Sequence, residues 1–327
     1  MICIITDAWE PQVNGVVTTL TNLKQQLEQD GHTVTIIEPS LFKTVSTPGY
    51  KEIKLVYDYK AFERHMLSLN PEYIHIATEG PLGLFGRRYC VGSDSNFTTS
   101  FHTKFPEFIK SRISFFPIKL GYAYLRWFHS KASRVLVTTN CIKEELHERG
   151  FTNMVTWTRG VDKSIFQPLE RTEPEFNILY VGRVSQEKNI EAFCELAFEK
   201  KIVVGDGPAR KSLEKKYKHV EFVGVKRGKE LAQYYSNADC FVFPSKSDTF
   251  GVVLLESISC GTPIATYPVS GPKSVVEEGI NGYTDDDLYN AVLNSIALDK
   301  EPVYNSSEKY TWENCKKIFL DNLIPTI

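Results

Sequence analysis

The chain of 327 residues lacks any apolar run near the ~20 residues needed to cross a bilayer, so no spanning helix organises it. It lacks an excess of charge of either sign. Its 38 Lys and Arg against 40 Asp and Glu leave a net charge of −2, with no global pull toward nucleic acid. It lacks a Cys-x-x-Cys pair. The 7 cysteines are scattered, and Cys3, Cys194 and Cys240 sit in apolar runs, the pattern of buried free thiols in a reducing compartment. The opening Met1-Ile-Cys-Ile-Ile-Thr-Asp has no basic n-region and reads as a strand, not a signal peptide. Asn96-Phe-Thr and Asn305-Ser-Ser match the glycosylation pattern, which is accidental in a cytoplasmic chain. Solenoid-length repeats and low-complexity segments are absent too. What remains, 42% hydrophobic and 24% charged, is the composition of a soluble globular protein long enough for two domains.

Strand and helix patterns alternate from end to end, which predicts an α/β fold with parallel sheets. Ile2–Thr6, a helical pattern over Thr18–Gln29, a stop at Gly31 and a strand at Thr33–Ile37 form one βαβ unit. Further strands are predicted at Tyr73–Ala77, Asn96–Phe101 and Arg134–Thr138, and a helix at Ile142–Glu148. The second half restarts the rhythm, with strands at Asn177–Val181, Lys201–Val204, Glu221–Val223, Cys240–Phe243 and Pro263–Thr266. Two doubly wound halves fit this order. The polar stretch Gly160–Pro174, with two prolines, reads as the hinge, and the amphipathic tail Thr311–Leu323 as a terminal helix.

Chemistry concentrates in the second half. Phe241-Val242-Phe243-Pro244 reads as a buried strand stopped by proline. A polar loop with Asp248 follows, then a helix opening near Phe250 or Gly251 that carries Glu256. Both carboxylates can point into the crevice outside a parallel strand, where open α/β sheets bind ligands. Carboxylates accept hydrogen bonds from vicinal hydroxyls, so they suit a neutral polyol. Upstream, Tyr180-Val-Gly-Arg-Val-Ser-Gln-Glu-Lys-Asn189 brings Arg183 and Lys188, and Ile202-Val-Val-Gly-Asp-Gly-Pro208 a glycine turn. Cations for phosphate oxygens, glycines for close backbone approach and carboxylates for hydroxyls point to a ligand with a phosphate end and a sugar end.

These motifs resemble the retaining family-4 glycosyltransferases of GT-B fold. Val-Gly-Arg…Glu-Lys-Asn, Gly-Asp-Gly-Pro and acid-x7-Glu occur in the family's order. Thr6–Val17, Ala77–Gly83, Ser100–Glu107 and Arg159–Asp162 extend the resemblance over essentially the whole chain, closest to the bacterial α-mannosyltransferase and glycolipid-glycosyltransferase branch. Asp248 stands where glutamate is commoner, and Asn14-Gly15 where many members have two glycines.

The resemblance implies two Rossmann-like domains facing a central cleft: 1–165 on the acceptor side, with 308–327 packing back on it, and 166–307 binding the nucleotide sugar. It implies that Arg183 and Lys188 stabilise the leaving diphosphate and that Glu256 holds the ribose hydroxyls. Asp248 then faces the donor sugar beside the Phe250-Gly251 backbone. Gly205 and Gly207 shape the floor under the base or ribose. Gly15, in the loop after the first strand, offers its N–H to the diphosphate, and His102 faces the donor sugar. The donor is GDP-mannose or a UDP-hexose, with no cofactor and no metal. Asp285-Asp-Asp287 reads as solvating a helix start. In Gly205-x-Gly-x-x, Arg210 replaces the glycine of a dinucleotide fingerprint, which weakens a dehydrogenase reading.

One segment differs in character. Lys104–Arg134 holds Lys104, Lys110, Arg112, Lys119, Arg126, Lys131 and Arg134 against one acid, Glu107, with aromatics interleaved. It suits either an anionic membrane surface or a solvated helix face over a packed core. No nucleic-acid module surrounds it. The expected activity is transfer of a hexose to a lipid or envelope-glycan hydroxyl at the inner membrane face. A sugar-nucleotide hydrolase or epimerase and a weakly active sugar-nucleotide-binding protein stand as alternatives.

Overall fold

The computed structural model describes residues 1–12, 14–47, 50–110 and 115–327, with backbone alone for residues 47 and 50–53. The chain forms two compact units. Unit 1 takes Met1–Lys110, Phe115–Thr158 and Trp312–Ile327; unit 2 takes Arg159–Thr311. In chain order the strands of unit 1 are β1 (Ile2–Ile5), β2 (Val34–Ile37), β3 (Thr44–Thr47), β4 (Tyr50–Val56), β5 (Tyr73–Ile76), β6 (Thr98–Phe101), β7 (Arg134–Val137) and β8 (Met154–Thr156). Those of unit 2 are β9 (Ile178–Val181), β10 (Lys201–Val204), β11 (Val220–Gly224), β12 (Cys240–Phe243), β13 (Ile264–Thr266) and β14 (Gly282–Thr284).

Unit 1 builds a six-stranded parallel sheet in the order β2-β1-β5-β6-β7-β8, with β3 and β4 as a separate antiparallel hairpin. The apolar runs Ile-Cys-Ile-Ile in β1 and Val-Leu-Val in β7 are buried, as strands covered on both faces must be. One face packs Phe62, Met66, Phe101, Leu125 and Phe128. The other packs Leu20, Leu23 and Leu27 of the helix Gly15–Gln29 against Trp157, Trp312 and Phe319. The spacing of those leucines, three and four residues apart, makes a single apolar stripe. The terminal helix Trp312–Asp321 lies in unit 1, and Trp157 Nε1 donates to the Cys315 carbonyl at 2.9 Å. The chain end is stitched down as well, since Asn96 N donates to the Thr326 carbonyl and Thr326 N to the Glu72 carbonyl.

Unit 2 repeats the plan, in the order β11-β10-β9-β12-β13-β14, all parallel. The chain winds outward from β9 to β11, then returns to lay β12 beside β9. The point where winding reverses lies between β9 and β12; in unit 1 it lies between β1 and β5. Such switch points open a crevice at the carboxyl ends of the two strands. The segment read as the hinge packs on unit 2, with Val161 in its core and Phe166 and Leu169 against it.

Sequence reading locates these strands to within a residue or two but misses the β3–β4 hairpin and the three-residue strands β8 and β14. The first helix opens at Gly15, three residues ahead of the predicted Thr18, because the Asn14 side chain caps it. Among the described residues no helix is long and apolar enough to cross a membrane.

Candidate functional site

The best-formed site lies at the switch point of unit 2. After β9 the chain turns through Gly182 and Arg183 into a short 3-10 turn, Gln186–Lys188, and then the helix Ile190–Cys194. After β10 it turns through Gly205-Asp-Gly207. These two loops are bonded to each other: Gly182 N donates to the Val204 carbonyl at 3.0 Å, Val184 N to the Asp206 carbonyl at 2.9 Å, and Ala209 N to the Val184 carbonyl at 3.0 Å. A Cβ on Gly205 would lie 1.9 Å from the Gly182 carbonyl oxygen, and its φ is +141°. One on Gly207 would lie 2.3 Å from the Val184 carbonyl oxygen. Glycine is therefore demanded here by backbone packed on backbone. The Tyr180 hydroxyl supports the turn from below, donating to the Arg183 carbonyl at 2.9 Å. Burial, with the Asp248 and Glu187 carboxylates adding to it, holds that phenol well above its ordinary range, so it remains a neutral donor.

Across the switch point, β12 ends at Phe243 and the loop carries Asp248. Lys188 Nζ meets Asp248 Oδ1 at 2.6 Å, both side chains about three-quarters buried. Asp248 Oδ2 is buried and has no hydrogen-bond partner among the described residues. Burying a carboxylate oxygen unpaired is costly, which marks Asp248 as a candidate ligand contact. Asn189 ties the two loops together. It adopts a left-handed φ of 54° and its Nδ2 donates to the Pro244 carbonyl at 3.1 Å. Gly271 backs the Asp248 loop: a Cβ there would come within 2.2 Å of the Asp248 carbonyl oxygen. Sequence reading includes Tyr180 and Asn189 in a motif without giving either a role, and passes over Gly271. The left-handed preference of asparagine was the one local signal available.

The helix Val252–Ser259 starts after Gly251, with no side-chain cap on its first turn. Phe250 is buried in the core beside Phe243 and Leu254, so only its backbone can reach a ligand. Glu256 accepts from the Tyr235 hydroxyl at 3.0 Å. Burial pushes its carboxyl up to about 7, against the Tyr235 hydrogen bond, which lowers it. The residue keeps some solvent-facing surface, so the carboxyl is enclosed by protein without being sealed from water.

The predicted residues of unit 1 are described within that unit. His102 follows β6, half-buried, with its ring edge-on to Trp157 at 5.9 Å. Gly15 is the first residue of its helix, not part of the preceding loop as expected. Asn14 Oδ1 accepts from Val16 N at 3.0 Å and Val17 N at 3.1 Å, so two N–H groups of that helix end are already occupied. Asp287 caps Leu288–Ser295 through Tyr289 N, the helix-start role expected of the acidic triplet.

Within 104–134, Lys104 pairs with Glu145 at 2.6 Å, while Tyr122, Leu125 and Phe128 are buried. Phe105, Phe115, Leu120 and Trp127 are exposed, as are Lys110, Lys119, Arg126 and Lys131. Arg112 lies outside the described residues.

Comparison with known proteins agrees with this geometry. The family model "Glycosyltransferase Family 4" matches residues 13–164, and "Glycosyl transferases group 1" matches 142–297. The chain is 26% identical over 310 residues to a GDP-mannose-dependent alpha-mannosyltransferase of Mycobacterium tuberculosis, covering 84% of this chain and 81% of that protein. It is 24% identical to an alpha-monoglucosyldiacylglycerol synthase of Streptococcus pneumoniae, covering 99% and 86%. In fold it resembles sucrose-phosphate synthase from Thermosynechococcus elongatus, with a TM-score of 0.77 at 20% identity over 98% of this chain and 97% of that one. The two family models overlap and together span residues 13–297, across both Rossmann-like units, and the chain belongs to the family-4 glycosyltransferases of GT-B fold.

Proposed function

We propose that this glycosyltransferase is a retaining, metal-independent hexosyltransferase that takes GDP-mannose or a UDP-hexose as donor. The acceptor is the hydroxyl of a lipid or envelope glycan. The observation that carries the donor half is the Lys188–Asp248 pair at 2.6 Å with Asp248 Oδ2 buried and unpartnered. A cation beside a carboxylate with one oxygen to spare fits a diphosphate sugar at its phosphate–sugar junction. The reaction's barrier is charge separation, a cationic anomeric carbon against a departing diphosphate. Lys188 and Arg183 oppose the growing negative charge on the diphosphate, so they act more strongly in the transition state than before it. Asp248 orients the sugar through its hydroxyls, and the leaving phosphate receives the acceptor's proton. Glu256 holds the ribose. Relatives that are mannosyltransferases and glucosyldiacylglycerol synthases support the hexose and the lipid acceptor.

The lipid acceptor requires contact with a membrane face, which we place on the cytoplasmic side. Exposed Phe115, Leu120 and Trp127 among Lys110, Lys119 and Lys131 support docking on anionic lipid through 104–134. Replacing Lys110 and Lys119 with glutamine is expected to weaken binding to phosphatidylglycerol vesicles while donor affinity holds. Unchanged vesicle binding would return those lysines to an ordinary solvated helix face.

The donor is tested by thermal-shift titration with GDP-mannose, UDP-glucose, UDP-galactose and NAD, with and without EDTA. A ligand that binds only the folded state raises the melting temperature by mass action. One sugar nucleotide is expected to stabilise the chain equally in both conditions. A shift with NAD alone, or one abolished by EDTA, contradicts the proposal.

A further inference from the structure

Unit 1 has its own switch point, between β1 and β5, where one acid is fully bonded within the protein and another is not. Asp7, just after β1, is fully engaged. Its Oδ1 accepts from Leu82 N at 2.8 Å, and its Oδ2 from the Thr78 hydroxyl at 2.8 Å and Gly83 N at 3.3 Å. It serves as the cap of the helix Pro81–Gly92. His75, on β5, has both ring nitrogens bonded inside the sheet, to Thr98 and Ser100.

Glu79, just after β5, is held differently. Its Oε1 meets His129 Nε2 at 3.3 Å, and His129 Nδ1 meets the Thr99 hydroxyl at 2.8 Å. A carboxylate facing Nε2 fixes the ring hydrogen there, so the Thr99 hydroxyl donates to Nδ1. The Glu79 backbone is pinned as well, its carbonyl accepting from the Tyr124 hydroxyl at 2.6 Å. On its C-terminal side Gly80 lies against Asp7, where a Cβ would sit 2.6 Å from the Asp7 carboxyl. Glu79's side chain is 10% exposed, yet Oε2 accepts no hydrogen bond from any described residue. It is also absent from the sealed atoms that lack a partner, so it keeps contact with solvent.

We propose that Glu79 is a hydroxyl-binding residue of unit 1. Its Oε2 accepts a hydrogen bond from an alcohol or polyol group of the sugar acceptor, and His129 and Thr99 are the residues that position it. This rests on the reading that unit 2 holds the donor. Oε2 is the solvent-facing oxygen of a nine-tenths-buried carboxylate, the atom a ligand hydroxyl can reach by displacing water. A carboxylate held by His129 on a backbone pinned by Tyr124, with its second oxygen open, is preorganised for a ligand donor.

Glu79→Gln tests it. Glutamine keeps an oxygen for His129 Nε2 but turns the free acceptor into an N–H donor. Two rates are read with the donor that stabilises the wild type: transfer to dioctanoylglycerol and phosphatidylinositol in mixed micelles, and release of free sugar to water. E79Q is expected to lower transfer at sub-saturating lipid at least about tenfold, mainly through the lipid KM, the scale of one lost charged hydrogen bond. Sugar release, the donor-induced thermal shift and the melting temperature are expected to hold. Thr99→Val is expected to give a smaller loss in the same direction. Transfer at the wild-type rate in E79Q overturns the proposal, and so does a joint fall of transfer and release, which would put Glu79 in the donor site or the fold. Release to water depends on the donor site alone, so the donor reading fails on the wild type and the Glu79 proposal fails on the variant.

Discussion

The two units each build a six-stranded parallel sheet, with two strands before the switch point in unit 1 and three in unit 2, but finish their strand ends in opposite ways. In unit 1 the helices that follow β1, β5 and β7 are capped by protein: Asn14 caps Gly15–Gln29, Asp7 caps Pro81–Gly92, and Thr139 caps Asn140–Glu148. In unit 2 the helices that follow β9, β10 and β12 have no side-chain cap. The capped exception, Leu288–Ser295, follows the edge strand β14, away from the switch point. The buried Asp248 oxygen without a partner is in unit 2 as well. A helix end left open keeps its N–H groups and partial positive charge for an anion. A capped one has used them on itself. The contrast is between helix starts closed by side chains in unit 1 and helix starts without a side-chain cap at the unit 2 switch point, where an anionic ligand would find open N–H groups.

The strongest way to break the contrast is Lys188→Ala. If the open end of unit 2 stabilises a departing diphosphate, turnover is expected to fall on the order of a hundredfold or more, typical of losing a transition-state charge contact. The melting temperature is read alongside, because removing Lys188 leaves the three-quarters-buried Asp248 without its ion-pair partner. A kcat near the wild-type value would sink the phosphate role.

A second test uses pH. Burial raises the Glu256 carboxyl to about 7, above its unfolded value near 4.5. The sign follows: the folded chain holds this proton more tightly, so the group's stabilising contribution is present below about 4.5 and is lost as pH rises through about 7. A ribose diol donates hydrogen bonds to the ionised form. Donor affinity is then expected to rise with pH, by up to about tenfold per unit below 7, and to level off above it. Binding near pH 6.5 is expected to release a proton, visible by calorimetry in buffers of different ionisation enthalpy. Glu256→Gln is expected to abolish both. A flat pH profile in the wild type would place the ribose elsewhere.

The strands of the sheets were legible because each is a short apolar run bounded by glycine, proline or polar residues. Lys201–Val204 and Cys240–Phe243 appear at their predicted limits. The strands β3, β8 and β14 were not, because Thr-Val-Ser-Thr, Met-Val-Thr and Gly-Tyr-Thr carry too little apolar pattern to stand out from loops. At the site, residue types and spacing pointed to the phosphate and sugar roles, and family order grouped them. The contact itself was not legible. Lys188 and Asp248 are 60 residues apart and meet only because β12 returns to lie beside β9. Gly271 and Tyr235 were invisible for the same reason: each is fixed by a neighbour distant in sequence. The free oxygen of Glu79 belongs to this class, since its locked partner, His129, is 50 residues away.

The smallest effect is the most pointed. Asn14 stands where a glycine would leave the helix end bare, and its Oδ1 takes the N–H groups of Val16 and Val17. If that cap belongs to the support of unit 1, Asn14→Ala is expected to cost about 1 kcal/mol of stability, the usual scale of a lost N-cap. That appears as a lower midpoint in urea with an unchanged slope. Donor affinity is then expected to change little. If instead the cap competes with the diphosphate for those groups, removing it tightens donor binding while still loosening the helix. The two explanations predict unchanged against tightened donor binding at the same loss of stability. One titration on one variant therefore decides whether unit 1 is closed by design of its fold or held closed until the donor arrives.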